Sequence, residues 1–377
     1  MSQTSSDTDS SSVDFDELPM RAGLGTFMDP HPDRLKFIKQ IGVDDVLLNL
    51  WGAPEAGYPN LPLSGEHEWS FENLVVLRNQ IEDAGLRLNA IENFPYSFYD
   101  DVMLGGPRQD EQLEHLKTTV RNVGRAGIPY MGYNWMPNGV WRSSTTHRLR
   151  GGAETSATDL DQLEDAPFTH DREYTEEELW ANYERFLEEL LPVAEEAGVT
   201  LALHPADPPV ESIGGIPRLF YNFENFKRAM DLVPSDNHAL QFCLGNWSAM
   251  GADLPEVIEY FGERDKLAYV HFQTISEPLP RFNEVFIDQD GYYDPYEIIA
   301  KLDEVGFSGM IIPGHVPKLE GDGQYLEHDD RSDLDVDGHG GWKERGRAFT
   351  IGYLRGLLET YGRETGRESA VYRPSEE

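Results

Sequence analysis

The chain has 377 residues, of which 68 are Asp or Glu and 31 are Lys or Arg, for a formal net charge of −37. A field of that sign repels phosphate backbones and anionic headgroups, so nucleic acid and anionic lipid are excluded as electrostatic partners. No apolar stretch approaches the roughly 20 residues of a membrane helix, and no apolar segment follows Met1 as a leader would require, so a soluble, unexported, cytoplasmic protein is expected.

With 39% hydrophobic and 11% aromatic residues the chain can fill a large core, which places the acidity mainly on the surface. A single cysteine, Cys243, excludes an intramolecular disulfide and suits a reducing compartment. Excess acid with few lysines is what a protein working in concentrated salt carries, because mobile ions screen the self-repulsion there. An acidic protein of ordinary habitat is the plainer alternative.

Residues 1–17 are rich in Ser and Asp and residues 363–377 are similarly polar, so both are expected to be tails around one domain, 18–362. Within it, short apolar runs alternate with longer amphipathic ones. Strands are expected over 22–27, 45–51, 86–92, 130–135, 199–204, 239–244, 267–272 and 309–313. The helices between and after them are expected over 32–41, 71–84, 109–126, 176–197, 222–232, 255–261, 295–305 and 341–361. In the fourth helix Leu179, Trp180, Tyr183, Phe186, Leu187, Leu190 and Leu191 recur at helical spacing, the pattern of packing against a sheet. Eight β-then-α units close a (β/α)8 TIM barrel. A doubly wound open sheet is the alternative, but Gly23-Leu24-Gly25 runs on into Thr26-Phe27-Met28, which is no dinucleotide fingerprint. The insertion after strand four, about 143–175, shows no strand or helix pattern and reads as a lid over the barrel mouth or as a solvated excursion.

Active residues of such a barrel gather at the carboxyl ends of its strands. Here those ends carry Glu92, Tyr133-Asn134, His204, Cys243 and His271, and the last strand runs into His315. His204, Cys243 and His271 come from consecutive strands and therefore sit side by side on the rim. Imidazole with thiolate suits Mn, Fe or Zn better than Mg or Ca. Asn134, Arg142, Asp207, Arg218 and Asn246 ring the same mouth and are candidates to hold hydroxyls and a carboxylate, the two arginines pointing to an anionic substrate. Glu92 or His315 is the candidate acid or base. Each residue alone has a structural reading as well, as a buried small thiol, a satisfied histidine or a loop cap.

Several runs carry a resemblance: Ile91-Glu92-Asn93-Phe94-Pro95, Tyr133-Asn134-Trp135-Met136-Pro137, His204-Pro205-Ala206-Asp207-Pro208-Pro209, Gly215-Ile216-Pro217-Arg218, Cys243-Leu244-Gly245-Asn246, Val270-His271-Phe272 and Phe282-Asn283-Glu284-Val285-Phe286. In order and spacing, from about residue 21 to 361, they resemble the mannonate dehydratase family. The resemblance implies a TIM barrel akin to xylose isomerase-like enzymes, binding Mn2+ or Fe2+ and dehydrating D-mannonate to 2-keto-3-deoxy-D-gluconate in sugar-acid catabolism. It implies His204, Cys243 and His271 as metal ligands and His315 as catalytic acid/base, with a small sugar acid as partner and a homo-oligomeric assembly. The chemistry is coherent: a divalent cation stabilises the charge formed as the C2 proton leaves, and an acid protonates the departing C3 hydroxyl.

The resemblance further implies an Asp as fourth ligand where this chain has Gly314, Arg-Asn where it has Gln273-Thr274, an Asp where it has Ala206, and a tyrosine where it has Gly338-His339-Gly340-Gly341-Trp342. His339 is then the candidate stand-in for the phenol. The fourth metal position is left to a water, to Glu92, or to an acid from Asp329-Asp330. A sugar isomerase or epimerase on the same barrel, or a non-catalytic sugar-acid binder, are the competing readings.

Salt adaptation carries its own test. Thermal melting and activity are expected to weaken as potassium chloride is diluted from molar concentrations to about a Debye length of 10 Å, near 0.1 M. Full retention of both in dilute buffer would remove that reading.

Overall fold

The computed structural model describes residue 15 and residues 18–51, 58–63, 67–323 and 342–367. Eight strands rich in aliphatic residues form its centre: β1 (Arg21–Leu24), β2 (Asp45–Asn49), β3 (Arg87–Glu92), β4 (Tyr130–Tyr133), β5 (Thr200–Leu203), β6 (His238–Cys243), β7 (Leu267–His271) and β8 (Met310–Ile312). They pair in parallel and in sequence order, and β8 returns to β1 to close the barrel. A helix follows each strand: α1 (Pro32–Gln40), α2 (Phe71–Glu82), α3 (Gln109–Arg125), α4 (Glu176–Ala197), α5 (Phe223–Leu232), α6 (Leu254–Gly262), α7 (Pro295–Glu304) and α8 (Glu344–Thr365). The expected (β/α)8 TIM barrel is therefore the fold.

Alternation along a strand sends neighbours to opposite layers. Val46 and Leu48 join the large core beneath the helices, whereas Leu47 joins Ala90, Ala202, Ala239, Tyr269, Met310 and Ile312 in a second buried cluster inside the barrel. The strands are shorter than the apolar runs that announce them, because residues at their carboxyl ends leave the ladder to line the mouth. Thr26 and Asn93 do so with positive φ, at 57° and 64°.

Local chemistry starts and stops the helices where the sequence indicates. The Thr175 hydroxyl accepts from the Glu178 N–H at 3.2 Å and the Glu178 carboxylate accepts from the Thr175 N–H at 2.8 Å, so two donors at the start of α4 are satisfied. Gly198 ends it in the left-handed region. The aromatic stripe of α4 is buried, with the Tyr183 hydroxyl 2.8 Å from that of Tyr133. At the other end of the chain, α8 carries helix through Arg363 to Thr365, beyond the expected stop.

The excursion after β4 differs from the expectation of a patternless segment. Strands Ser144–Arg148 and Glu154–Asp159 pair antiparallel, and Arg281–Asn283, from the loop after β7, adds a third strand. Glu154 also bridges to Lys318 in the loop after β8. The first two strands form a local hairpin of polar residues, but the third lies more than 120 residues from its partner, and such long-range pairing leaves no periodic mark on a short polar run. A six-residue helix, Leu244–Ala249, begins directly after Cys243.

The opposite end of the barrel is held by buried charge. Asp45, fully buried at the start of β2, faces Arg21 of β1 with Oδ2 3.1 Å from Nε, and it also pairs with Arg87 of β3. Removing the carboxylate takes the counter-charge from the buried Arg21 guanidinium. Asp45→Ala is expected to cost about 3–5 kcal/mol in urea unfolding. Turnover of the protein that remains folded should be unchanged, because conservation of the amino-terminal face serves stability rather than chemistry.

Candidate metal centre and active site

β6 and β7 end in Cys243 and His271, and His204 follows the last residue of β5. Barrel closure brings the three donor atoms within 4.8 Å of one another, with the two imidazole centroids 5.5 Å apart. Each side chain is held by a neighbour. His204 Nδ1 lies 2.8 Å from the Pro205 carbonyl, and since a carbonyl only accepts, the proton sits on Nδ1 and the lone pair on Nε2. Cys243 Sγ lies 3.0 Å from Asn246 Oδ1, while Asn246 Nδ2 donates to the Ala206 carbonyl at 2.7 Å. His271 Nε2 is 3.0 Å from Glu92 Oε2, whose other oxygen accepts from Asn49 Nδ2 at 3.2 Å.

Electrostatics in this buried cluster favour charge. Burial opposes a thiolate at Cys243, but the adjacent His204 and His271 imidazoles outweigh it and bring the thiol down to about 6. Burial likewise opposes an imidazolium at His271, yet Glu92 and Cys243 push it up to about 10. Glu92 is buried too, and His271 holds it below the usual carboxylate range. A soft thiolate between imidazoles is the donor set of a transition-series divalent cation, so the chemistry of these residues fits a metal. Among the described residues no carboxylate joins the donor cluster.

On the neighbouring side of the mouth, His315 Nδ1 sits 2.7 Å from Glu284 Oε1. The carboxylate accepts, so Nδ1 carries the proton. Glu284 is fully buried and also accepts from the Ser156 hydroxyl at 2.7 Å, the Thr155 hydroxyl at 3.3 Å and Gln273 Nε2 at 3.3 Å. Burial would raise its carboxyl, but His315, then Lys343 and Arg142, draw it down to about 2. The loop sheet positions it: Glu284 follows strand Arg281–Asn283, and its N–H donates to the Ser156 carbonyl at 3.2 Å.

Asn134, Asp207, Asn246 and Glu92 line one pocket with the three donors and His315, so the structure brings most of the expected residues together. Arg142 is at hand but committed: it forks onto Asp207, Nη2 to Oδ2 at 2.7 Å, and both side chains are buried. The guanidinium expected to receive a substrate anion is thus neutralised within the protein. Arg218 does not line that pocket; it is buried, gives Nη2 to the Gly139 carbonyl at 2.6 Å, and is lowered to about 9 by that burial. His339, Asp329 and Asp330 lie outside the described residues. Trp51 and Val140, which line the pocket, also wall an adjoining cavity of about 530 Å3 with Tyr96, Asn138 and His170.

Two residues of the pocket's surroundings, Glu284 and Gln273, are given no role by the sequence reading. Glu284 stands in the quoted run Phe282–Phe286, and an acid flanked by Phe282, Val285 and Phe286 was the available signal, since such a carboxylate must be paired if buried. Gln273 appeared only as a departure from a pattern, with nothing to show what it faces.

Comparison with known proteins agrees with this geometry. The profile of the family described as D-mannonate dehydratase (UxuA) matches residues 25–368. Mannonate dehydratase 2 of Halalkalibacterium halodurans is 29% identical over 368 residues, 90% of this chain and 99% of that protein. Mannonate dehydratase of Streptococcus suis is 31% identical over 326 residues, 79% of this chain and 85% of that protein. The crystal structure of mannonate dehydratase from Streptococcus suis serotype 2 superposes with a TM-score of 0.76 at 29% identity, covering 93% of this chain and 95% of that one. A D-allulose 3-epimerase from Methylomonas superposes with a TM-score of 0.53 at 12% identity, covering 90% and 99%, a likeness of fold alone. With nearly its whole described length inside the matched span, the chain belongs to the D-mannonate dehydratase family.

Proposed function

We propose that this chain is a metal-dependent hydro-lyase that converts D-mannonate, or a closely related aldonic acid, to 2-keto-3-deoxy-D-gluconate, with Mn2+ or Fe2+ held by His204, Cys243 and His271. The observation that carries the reading is the meeting of those donors at the ends of three consecutive strands, in a chain of this family. A divalent cation bound there supplies a Lewis acid for the substrate carboxylate and lowers the cost of negative charge at C2.

The protein's own groups do the rest. His315, with Nδ1 tied to ionised Glu284, presents Nε2 for proton transfer, and the carboxylate behind it stabilises the imidazolium that forms. The C2 proton leaves to a base, the C3 hydroxyl departs as water after protonation, and the resulting enol becomes the 2-keto acid by taking a proton at C3. His315 serves one of these transfers and His339 is proposed for another. Glu92, held ionised by His271 and Asn49, orients the imidazole rather than donating a proton. Asn134, whose buried amide oxygen has no partner among the described residues, is proposed to accept from a substrate hydroxyl. Asp207 and Asn246 complete the wall, Arg142 holds Asp207, Arg218 braces Gly139, and the adjoining cavity past Trp51 and Val140 admits the sugar acid under the 143–175 excursion acting as a lid. A cytoplasmic location and a homo-oligomeric assembly belong to the same proposal, since a thiol kept as a metal ligand suits a reducing compartment.

The reading is tested on protein loaded with Mn2+ or Fe2+ and given a panel of aldonic acids. A 2-keto-3-deoxy product from D-mannonate is expected; an epimer or isomer formed without loss of water would move the assignment to the isomerase class. His204→Ala and Cys243→Ser should each weaken the metal by more than roughly 100-fold, since loss of an outer hydrogen-bond partner alone costs about 10–100-fold, and metal analysis after dialysis reads this directly. His315→Asn should keep its metal and lose about 10²–10⁴ in kcat. A variant at 315 with unchanged kcat would take the proton-transfer role from it.

A further inference from the structure

The donor cluster of two imidazoles and one thiolate contains no carboxylate among the described residues, and a buried amide side chain lines the same pocket. The side chain of Gln273, two residues beyond the end of β7, is buried there. It threads between two glycines. A Cβ at Gly245 would lie 2.9 Å from its Cδ and Nε2, and a Cβ at Gly314 would lie 3.1 Å from its Oε1 and 3.3 Å from its own Cβ. Both glycines are needed for this side chain to pass, and Gly314 also has a φ of 62°.

The amide can adopt one orientation only. One end faces the Glu284 carboxylate, which accepts, at 3.3 Å, and the other faces the His315 main-chain N–H, which donates, at 3.3 Å. Nitrogen must therefore point to Glu284 and oxygen to the site. The Gln273 main-chain carbonyl accepts from the Tyr293 hydroxyl at 3.0 Å, which anchors the backbone from which the side chain springs. So placed, Oε1 is 4.0 Å from Cys243 Sγ. Metal–sulfur and metal–oxygen bonds of about 2.3 Å and 2.0–2.2 Å let two donors of one ion stand up to roughly 4.4 Å apart, so the separation is within reach of a shared cation. A carbonyl oxygen has two lone pairs, one for the His315 N–H and one for a metal.

We infer that Gln273 Oε1 is the fourth protein ligand of the metal centre, an amide oxygen occupying the room that a carboxylate on residue 314 would need. The inference rests on the metal reading of His204, Cys243 and His271. A neutral oxygen donor in place of a carboxylate leaves the centre one unit more positive, and amide and carbonyl oxygens suit Mn2+ among the candidate ions.

Cobalt binding to metal-stripped protein, followed by visible absorption and by calorimetric titration, tests this without reference to turnover. Gln273→Leu keeps the bulk and removes the oxygen. It is expected to weaken Co2+ by at least roughly 10- to 100-fold and to shift the d–d bands, while the thiolate-to-cobalt charge-transfer band stays. Adding Gly314→Asp to Gln273→Ala should recover the affinity, because the vacated room then admits a carboxylate. If Gln273→Leu does not fold, Gln273→Asn, which withdraws the oxygen by one methylene, is read the same way. An affinity and d–d spectrum indistinguishable from the parent would overturn the assignment of Gln273. Loss of the charge-transfer band in Cys243→Ser is expected; its persistence would overturn the metal reading, and the Gln273 assignment with it.

Discussion

Closure of a parallel sheet places the carboxyl ends of all eight strands on one ring, and every feature of the site depends on that constraint. His204, Cys243 and His271 are separated by dozens of residues in the chain, but the register aligns Cys243 with His271 across β6 and β7, and the His204 N–H bonds the Tyr133 carbonyl of β4. No local interaction could gather these donors. Cys243, His271 and Glu92 are the last residues still in the ladder, and Thr26 and Asn93 have just left it, so the mouth is lined by the final turn of each strand.

Bringing donors together is costly unless their charges are matched, and the arrangement of buried acids shows how the cost is met. Glu92 faces His271, Asp207 faces Arg142, and Glu284 faces His315. Each buried carboxylate is thereby kept ionised against its desolvation. The chain carries a large excess of acid, yet its innermost acids are paired one to one with cations, so the excess must lie elsewhere. This also explains why Arg142 cannot be read from composition as an anion receptor. In a chain poor in cations, a buried arginine is the partner on which a buried carboxylate depends.

The barrel and the meeting of His204, Cys243 and His271 were legible in the sequence because both obey short-range rules: apolar runs alternate with amphipathic ones, and candidate residues stand at strand ends. What stayed hidden obeys long-range rules. Strand Glu154–Asp159 is defined by pairing with Arg281–Asn283, and a polar Thr- and Ser-containing run shows no sign of a partner so distant. Helix Leu244–Ala249 is buried on every side, so it has no amphipathic period to detect. The two residues least visible, Glu284 and Gln273, take their roles entirely from what surrounds them. Gln273 in sequence is one polar residue after a strand; in space it is a carbonyl oxygen pinned in one orientation by an acceptor on one side and a donor on the other.

The site divides along the same line. Strand ends supply His204, Cys243 and His271, whose positions follow from barrel closure. His315 is set instead by the small antiparallel sheet, because Glu284 extends one of its strands and Ser156 and Thr155 stand on another. The loops after β4, β7 and β8 must therefore fold against one another before the His315 imidazole meets Glu284. Gln273 spans both halves, giving its nitrogen to Glu284 and turning its oxygen toward Cys243. A change in the loop sheet would reach the metal through that amide, and a change at the metal would reach His315 by the same route, since the oxygen that faces the thiolate also accepts from the His315 main chain. In the proposed reading, binding of the cation and placement of the His315 imidazole would be coupled through this buried glutamine.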